Sequence, residues 1–110
     1  GLSVYPYWGI EAKHTKSAEE TLEKAIANIN RIQRKYGCPT MVVEAGVEKR
    51  KPVEGKKFMV ALIKACKTQT NGLCKGVYYW APELERLYPL GAVMNNRPTA
   101  IMEDFTEAAE

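Results

Sequence analysis

The stretch that decides the fold is Thr40-Met41-Val42-Val43-Glu44, a short continuous run of mostly apolar residues. Its length and its adjacent valines are typical of a strand that is buried on both faces of a parallel sheet. Pro39 precedes the run, and the charged residues 45–54 follow it as a loop. The run therefore predicts one strand of an α/β domain whose other strands lie before and after it in the chain.

A helix is predicted immediately before this strand. Ser17 and Glu20 have the spacing of a capping box, in which a serine side chain caps the first helical turn. Gly37 suits the left-handed position that ends many helices, and Pro39 cannot continue one. Apolar residues at helical spacing predict the buried face of this helix, namely Leu22, Ile26, Ile29, Ile32 and Tyr36.

The remaining elements repeat the alternation of strand and helix. Strands are predicted at residues 1–5 and 76–80, and helices at residues 55–68 and 99–109. The apolar faces of these helices are expected to be Phe58, Leu62, Ala65 and Cys66, with Met59 and Ile63 beside them, and Ile101, Met102 and Phe105. The order βαβαβα predicts a three-stranded parallel sheet with right-handed crossovers in a single α/β domain.

Composition and charge narrow the class of protein. The 110 residues suffice for one small domain, and the formal net charge is +3. The densest basic patch, residues 49–51, is interleaved with glutamates and has no aromatic platform beside it, which argues against a nucleic-acid partner. No apolar run approaches the ~20 residues of a membrane span, so we expect no membrane-spanning segment.

The cysteines and the histidine do not indicate a metal or redox site. Cys38, Cys66 and Cys74 form an odd set without a Cys-x-x-Cys spacing. Cys66 falls on an apolar helix face and is expected in the core. One disulfide between two of the cysteines, with the third as a free thiol, is the alternative. His14 is the only histidine and has no companion at metal-ligand spacing, so we expect it at the surface. We expect neither a cofactor nor a metal site.

Aromatic residues and one carboxylate gather at the predicted strand ends. Functional residues of parallel α/β folds lie at the C-terminal ends of the strands. Glu44 ends the second strand, and the neighbouring strand ends carry Tyr5-Pro6-Tyr7-Trp8 and Tyr78-Tyr79-Trp80. Aromatic rings stack on sugar rings, and a carboxylate can attack an anomeric carbon, so this composition is typical of a sugar site. The alternative is that the aromatics belong to the core or rim and that Glu44 caps a helix.

Three motifs, in this order, resemble family 53 of the glycoside hydrolases, the endo-β-1,4-galactanases or arabinogalactan endo-β-1,4-galactosidases. The motifs are Gly1-Leu2-Ser3-Val4-Tyr5-Pro6-Tyr7-Trp8, Met41-Val42-Val43-Glu44-Ala45-Gly46 and Gly76-Val77-Tyr78-Tyr79-Trp80-Ala81-Pro82-Glu83. The resemblance covers essentially the whole chain. It implies the last three βα units of a (β/α)₈ TIM barrel and retaining hydrolysis of galactan, a plant polysaccharide. A secreted, periplasmic or cell-surface parent enzyme is then expected.

The resemblance also implies roles for single residues. Glu44 would be the nucleophile, and Trp80 would form the floor of the subsite that holds the reacting sugar. Either Tyr5 or Tyr7 would hydrogen-bond to Glu44 or to a sugar hydroxyl. Substrate-binding residues are expected to be Tyr5, Tyr7, Trp8, Tyr78 and Trp80.

The family's general acid/base lies in an Asn-Glu pair at the end of the fourth strand, and no such pair follows a predicted strand here. We therefore expect this chain, which begins at Gly1 rather than at Met, to be the C-terminal fragment of a longer enzyme and to be inactive alone. The strands carry few of the charges and prolines that protect sheet edges, so self-association through the edges is also expected. The alternatives are a non-catalytic carbohydrate-binding module and a self-associating α/β module.

Overall fold

The computed structural model describes residues 1–6 and 17–109. Its elements alternate along most of the chain, as the sequence predicts. They are β1 (Leu2–Val4), α1 (Ala18–Tyr36), β2 (Thr40–Ala45), α2 (Pro52–Thr68), β3 (Cys74–Tyr79), β4 (Val93–Met94), β5 (Arg97–Pro98), a 3₁₀ helix (Ala100–Glu103) and α3 (Asp104–Ala109).

The main sheet is parallel and has the strand order β1-β2-β3, with β2 in the centre. The α/β class and the three-stranded parallel sheet are therefore confirmed. Strands β4 and β5 form a separate antiparallel pair where the sequence predicts only a loop. Asn95 and Asn96, which connect them, have φ values of 52° and 59°. Two successive left-handed residues make the tight turn that suits a two-residue hairpin, and asparagine tolerates that conformation.

Helix α1 begins and ends where the sequence predicts. The Ser17 Oγ accepts a hydrogen bond from the Glu20 N–H at 3.1 Å. Gly37 is left-handed, with a φ of 61°, and its N–H donates to the Gln33 carbonyl at 2.9 Å. Since both ends depend on local hydrogen bonds, the sequence was sufficient to locate them.

The buried face of α1 is rotated from the predicted one. Tyr36 is 64% exposed, whereas Gln33 is buried. Gln33 is satisfied because its Oε1 accepts from the Thr40 hydroxyl at 2.8 Å and its Nε2 donates to the Thr70 carbonyl at 3.3 Å. A polar side chain can lie in the core when both of its ends are bonded. The buried residues of α1 are Thr21, Ala25, Ile26, Ile29 and Gln33.

Helix α2 starts three residues earlier than predicted, with Pro52 in its first turn. Proline fits there because the first helical N–H groups have no partner within the helix. Its predicted apolar face is confirmed, and Cys66 lies in the core as expected. The buried residues of α2 are Gly55, Phe58, Met59, Leu62, Ala65 and Cys66.

The segment that the sequence predicts as the last helix, residues 99–109, forms a 3₁₀ turn followed by α3. Ile101 is buried as predicted, but Met102 and Phe105 are 49% and 45% exposed. Asp104 and Ala108 are buried instead. The 3₁₀ turn has about three residues per turn, so it rotates the following residues away from the face that a continuous α-helix would bury.

One face of the sheet carries both long helices. Val4, Val42 and Ala45 belong to the same hydrophobic core as residues from α1 and α2. The opposite face is left open by the described residues, and Val43 is 44% exposed there. The prediction that β2 is buried on both faces is therefore wrong for Val43. Crossovers of one hand between strands in the order β1-β2-β3 place successive helices on the same side of a sheet, which explains this asymmetry. None of the described helices is long and apolar enough to cross a membrane.

Candidate functional site

A β-bulge in the central strand places Glu44. Between Val42 and Ala45, β2 contains one residue more than either neighbouring strand. The residues that pair with the two ends of this stretch are Leu2 and Val4 on β1 and Val77 and Tyr79 on β3. Strict alternation from Val42 would point Glu44 into the core, but the extra residue puts Ala45 there instead. Glu44 is thereby left half-buried near the C-terminal end of β2.

Tyr5 is the hydrogen-bond partner of Glu44. Its hydroxyl donates to Glu44 Oε2 at 3.1 Å, across the C-terminal ends of β1 and β2. Burial, followed by this bond and the charge of Glu44, raises the pKa of the Tyr5 hydroxyl well above its ordinary value. The phenol therefore keeps its proton and remains a donor to the carboxylate. Of the two tyrosines expected near Glu44, Tyr5 contacts it, and Tyr7 lies outside the described residues.

Gly46 makes room for the Tyr5 ring. A Cβ at this position would lie 2.9 Å from Tyr5 Cε1 and 3.3 Å from Tyr5 Cδ1. Carbon atoms in favourable contact lie about 3.5–4.0 Å apart, so any side chain at Gly46 would displace the ring. The glycine after the strand end thus allows the hydroxyl of Tyr5 to reach the carboxylate.

Tyr88 is a member of this cluster that the sequence analysis missed. It lies close enough to Tyr5 and Glu44 for both to act on its hydroxyl. Burial raises the pKa of Tyr88, the charge of Glu44 raises it further, and the interaction with Tyr5 lowers it. Tyr88 lies in an irregular loop after β3, and no periodic pattern marks it. Only its position after a strand end could have indicated it.

Tyr79 anchors the loops around the site. Its hydroxyl donates to the Leu90 carbonyl at 2.7 Å and accepts from the Val47 N–H at 3.1 Å. Burial raises the pKa of Tyr79 to about 12. The Lys49 N–H also donates to the Pro89 carbonyl at 3.0 Å. The loop that carries Tyr88 is therefore attached to the loop after β2, and Tyr79 is structural.

The aromatic residues at the end of β3 are exposed. Tyr78 and Trp80 are 58% and 51% exposed. The register places Tyr78 beside the bulged stretch of β2, and the Trp80 N–H donates to the Ala45 carbonyl at 2.8 Å. Two aromatic surfaces thus stand next to the strand that carries Glu44. Tyr7, Trp8 and His14 lie outside the described residues.

The arrangement offers a carboxylate with one phenol donor and neighbouring aromatic surfaces. Such a group can act as a nucleophile or as a hydrogen-bond acceptor for a polyol. Within residues 1–6 and 17–109, no group of three or more histidine, cysteine, aspartate or glutamate residues could hold a metal ion. A cavity of about 780 Å³ lies elsewhere, between the first turns of α1 and α2, and Glu44 does not line it.

The comparisons with family models and with curated proteins do not assign the chain to a family. No family model matches the chain, and no curated protein sequence matches it significantly.

Proposed function

We propose that this chain carries the nucleophile of a retaining glycosidase of the endo-β-1,4-galactanase type, with Glu44 as the attacking carboxylate. The observation that carries the proposal is the hydrogen bond from the Tyr5 hydroxyl to Glu44 Oε2, at the C-terminal ends of two adjacent parallel strands. The substrate would be the galactan or arabinogalactan of plant polysaccharides. Since such polymers lie outside cells, the parent enzyme would be secreted, periplasmic or attached to the cell surface.

The proposed reaction uses the Glu44 carboxylate as the nucleophile. In a retaining reaction a carboxylate oxygen attacks the anomeric carbon, the glycosidic bond breaks, and a covalent glycosyl-enzyme forms. Tyr5 supports this step because its retained proton orients one carboxylate oxygen and leaves the other for attack. Trp80 and Tyr78 offer exposed rings on which a galactose ring can stack.

The asymmetry of the sheet supports an origin in a (β/α)₈ barrel. Helices of such a barrel lie outside its sheet, and the inner face is filled by side chains of the other strands. Here α1 and α2 share one core with one face of the sheet, while Val43 and Tyr78 on the other face are exposed. These would be the last three βα units, with β2 as the seventh strand of the barrel.

Hydrolysis of galactan would need a second carboxyl group. In retaining enzymes a general acid about 5 Å from the nucleophile protonates the leaving oxygen. In the resembled family this acid lies in an Asn-Glu pair at a strand end, and no such pair is present in the sequence. The acid would therefore lie in another part of the parent enzyme, and residues 1–110 should not hydrolyse galactan.

A sugar with an activated leaving group tests the nucleophile without the acid. We would incubate the 110-residue chain with 2,4-dinitrophenyl 2-deoxy-2-fluoro-β-galactoside. Dinitrophenolate leaves without protonation, and the fluorine slows hydrolysis of the glycosyl-enzyme. The expected result is one added fluorogalactosyl group, detected by intact-mass spectrometry and located at Glu44 by peptide mapping.

Matched variants separate specific from incidental labelling. Glu44→Gln should abolish the label, and Glu48→Gln, which changes an exposed carboxylate four residues away, should leave it unchanged. An excess of β-1,4-galactobiose should slow labelling. Labelling that is equal in all three proteins, or absent at every concentration of probe, would refute Glu44 as the nucleophile.

A non-catalytic carbohydrate-binding or self-associating module is the second candidate. The observation in its favour is the exposure of Tyr78 and Trp80 at the C-terminal end of β3. Sugar binding without labelling of Glu44, measured by calorimetry with galacto-oligosaccharides, would favour the binding module. Light scattering that shows a dimer, lost in Tyr78→Ser, would favour self-association.

A further inference from the structure

Two cysteines lie at the junction of α2 and β3. Cys66 is in the last turns of α2 and is 3% exposed, and Cys74 is the first residue of β3 and is half-buried. Both belong to the same hydrophobic core, Cys66 as a member and Cys74 packed against it. All three cysteines of the chain are free thiols in the structure.

A single hydroxyl group holds the backbones of the two cysteines together. Thr70, which is fully buried, donates its hydroxyl to the Cys66 carbonyl and accepts from the Cys74 N–H at 3.3 Å. Between Thr70 and Cys74, Asn71 and Gly72 have φ values of 53° and 71°, so the chain reverses direction within a few residues. The junction is therefore tight, and the relative position of the two residues is fixed by the fold.

The two side chains lie close enough within this junction for Cys74 to act on the Cys66 thiol. Burial, followed by the effects of Cys74, raises the pKa of the Cys66 thiol to about 12. Cys74 also makes a weak contact with the Gly76 carbonyl at 3.9 Å. Because Cys74 is the more exposed of the two, an external reagent reaches it first.

We propose that Cys66 and Cys74 are a redox-modifiable dithiol that closes into a disulfide joining the end of α2 to the start of β3. Cys38, which is half-buried between α1 and β2, is then the leftover thiol. The proposal is independent of the sugar chemistry assigned to Glu44. A small-molecule disulfide such as oxidised glutathione is the oxidant.

The reaction takes place in two exchange steps. The Cys74 thiolate attacks one sulfur of oxidised glutathione, the S–S bond breaks, and one glutathione thiolate leaves. The Cys66 sulfur then attacks Cys74 Sγ in this mixed disulfide. The second glutathione leaves as a thiolate and takes up the proton that Cys66 gives up. Two thiols are oxidised, and one molecule of oxidised glutathione is reduced to two molecules of glutathione.

The test uses the Cys38→Ser variant, which keeps both proposed partners. It is equilibrated in a series of glutathione redox buffers, quenched with acid and analysed by intact mass. Trypsin cleaves after Lys67, between the two cysteines, so the disulfide is seen as two linked peptides that separate on reduction. The same series in guanidinium chloride measures how readily the unfolded chain closes this loop.

The expected result is a disulfide that forms in the folded protein at a glutathione redox ratio at least about tenfold less oxidising than in the unfolded chain. Cys66→Ala should stop at a glutathione adduct on Cys74, and Cys74→Ala should leave Cys66 unmodified. Equal or harder closure in the folded protein would overturn the proposal. So would a wild-type protein in which Cys38 is linked to either partner.

Discussion

Replacing Gly46 by alanine tests whether the Tyr5–Glu44 contact depends on the space that this glycine leaves. The added Cβ would lie 2.9 Å from Tyr5 Cε1, well inside ordinary carbon–carbon contact. The hydrogen bond from Tyr5 to Glu44 is already 3.1 Å long, slightly beyond the usual limit of about 3.0 Å for a hydroxyl donor and an oxygen acceptor. Moving the ring by about 0.6 Å, the distance needed to restore contact, is therefore expected to break the bond.

Three contributions determine how much Gly46→Ala changes the free energy of unfolding. Loss of a half-buried hydrogen bond to a carboxylate costs about 1 kcal/mol. Strain from crowding the ring costs about 1 kcal/mol more. Gly46 does not have a positive φ, so alanine is compatible with its backbone and lowers the entropy of the unfolded chain, a gain of about 0.4–1 kcal/mol. The free energy of unfolding should thus fall by about 1 kcal/mol.

Gly76 offers a matched control. A Cβ there would lie 3.8 Å from Tyr78 and 3.9 Å from Met41, which is ordinary contact, and its φ is also not positive. Gly76→Ala should therefore be neutral or stabilising by up to about 1 kcal/mol. Urea denaturation followed by tryptophan fluorescence gives the free energy of unfolding of both variants. In a Tyr5→Ala background both the hydrogen-bond loss and the strain should disappear, so alanine at Gly46 should become neutral or stabilising, a coupling of about 2 kcal/mol.

Two results would refute this reasoning. If Gly46→Ala were as stable as Gly76→Ala, the space beside Tyr5 would not matter. If the cost persisted without the Tyr5 ring, it would arise elsewhere, since Gly46 is also close to Leu90. The rate at which the activated fluorosugar labels Glu44, measured on the same proteins, shows whether displacement of Tyr5 changes the reactivity of Glu44.

Three further predictions concern single residues. Burial raises the pKa of Asp104, whose Oδ2 is buried and has no hydrogen-bond partner among the described residues, so protonation of Asp104 stabilises the folded state. This contribution is complete below about pH 3.8 and is lost as the pH rises through the folded pKa. Asp104→Asn should therefore be more stable than wild type at pH 7, by about 1–3 kcal/mol, with the difference vanishing at low pH in urea titrations; a constant difference would contradict this cause. Glu44→Gln should lower the pKa of Tyr5, seen as earlier appearance of tyrosinate absorbance in an alkaline titration, and an unchanged curve would show that burial alone sets that pKa. Gly91→Ala should destabilise by about 3 kcal/mol or more in thermal or urea unfolding, because its Cβ would meet the Leu84 carbonyl oxygen at 2.1 Å; a near-neutral result would mean that this loop is easily displaced.

The elements were predictable where their causes are local. The Ser17 cap and the left-handed Gly37 bound α1, and both signals involve residues within a single turn. The short apolar run at Thr40–Glu44 gave β2 within one residue. The hairpin of β4 and β5 was missed because its strands have two residues each, too few for any periodicity.

The buried faces were less predictable, because burial depends on partners that are distant in sequence. Gln33 is buried only since Thr40 and Thr70 satisfy its amide. Phe105 is exposed because a 3₁₀ turn precedes it and changes the direction of the face. The spacing of apolar residues does not predict a hydrogen-bond partner dozens of residues away or a change of helical pitch.

The sequence by itself determined the alternation of strands and helices, the parallel sheet and the presence of Glu44 at a strand end among aromatic residues. Only the tertiary structure decided how that carboxylate is held. The extra residue in β2 shows itself only when β2 is paired with both neighbours, and it keeps Glu44 out of the core. The hydrogen bond from Tyr5 and the approach of Tyr88 depend on how separate loops pack, which is a property of the folded chain and not of any one segment.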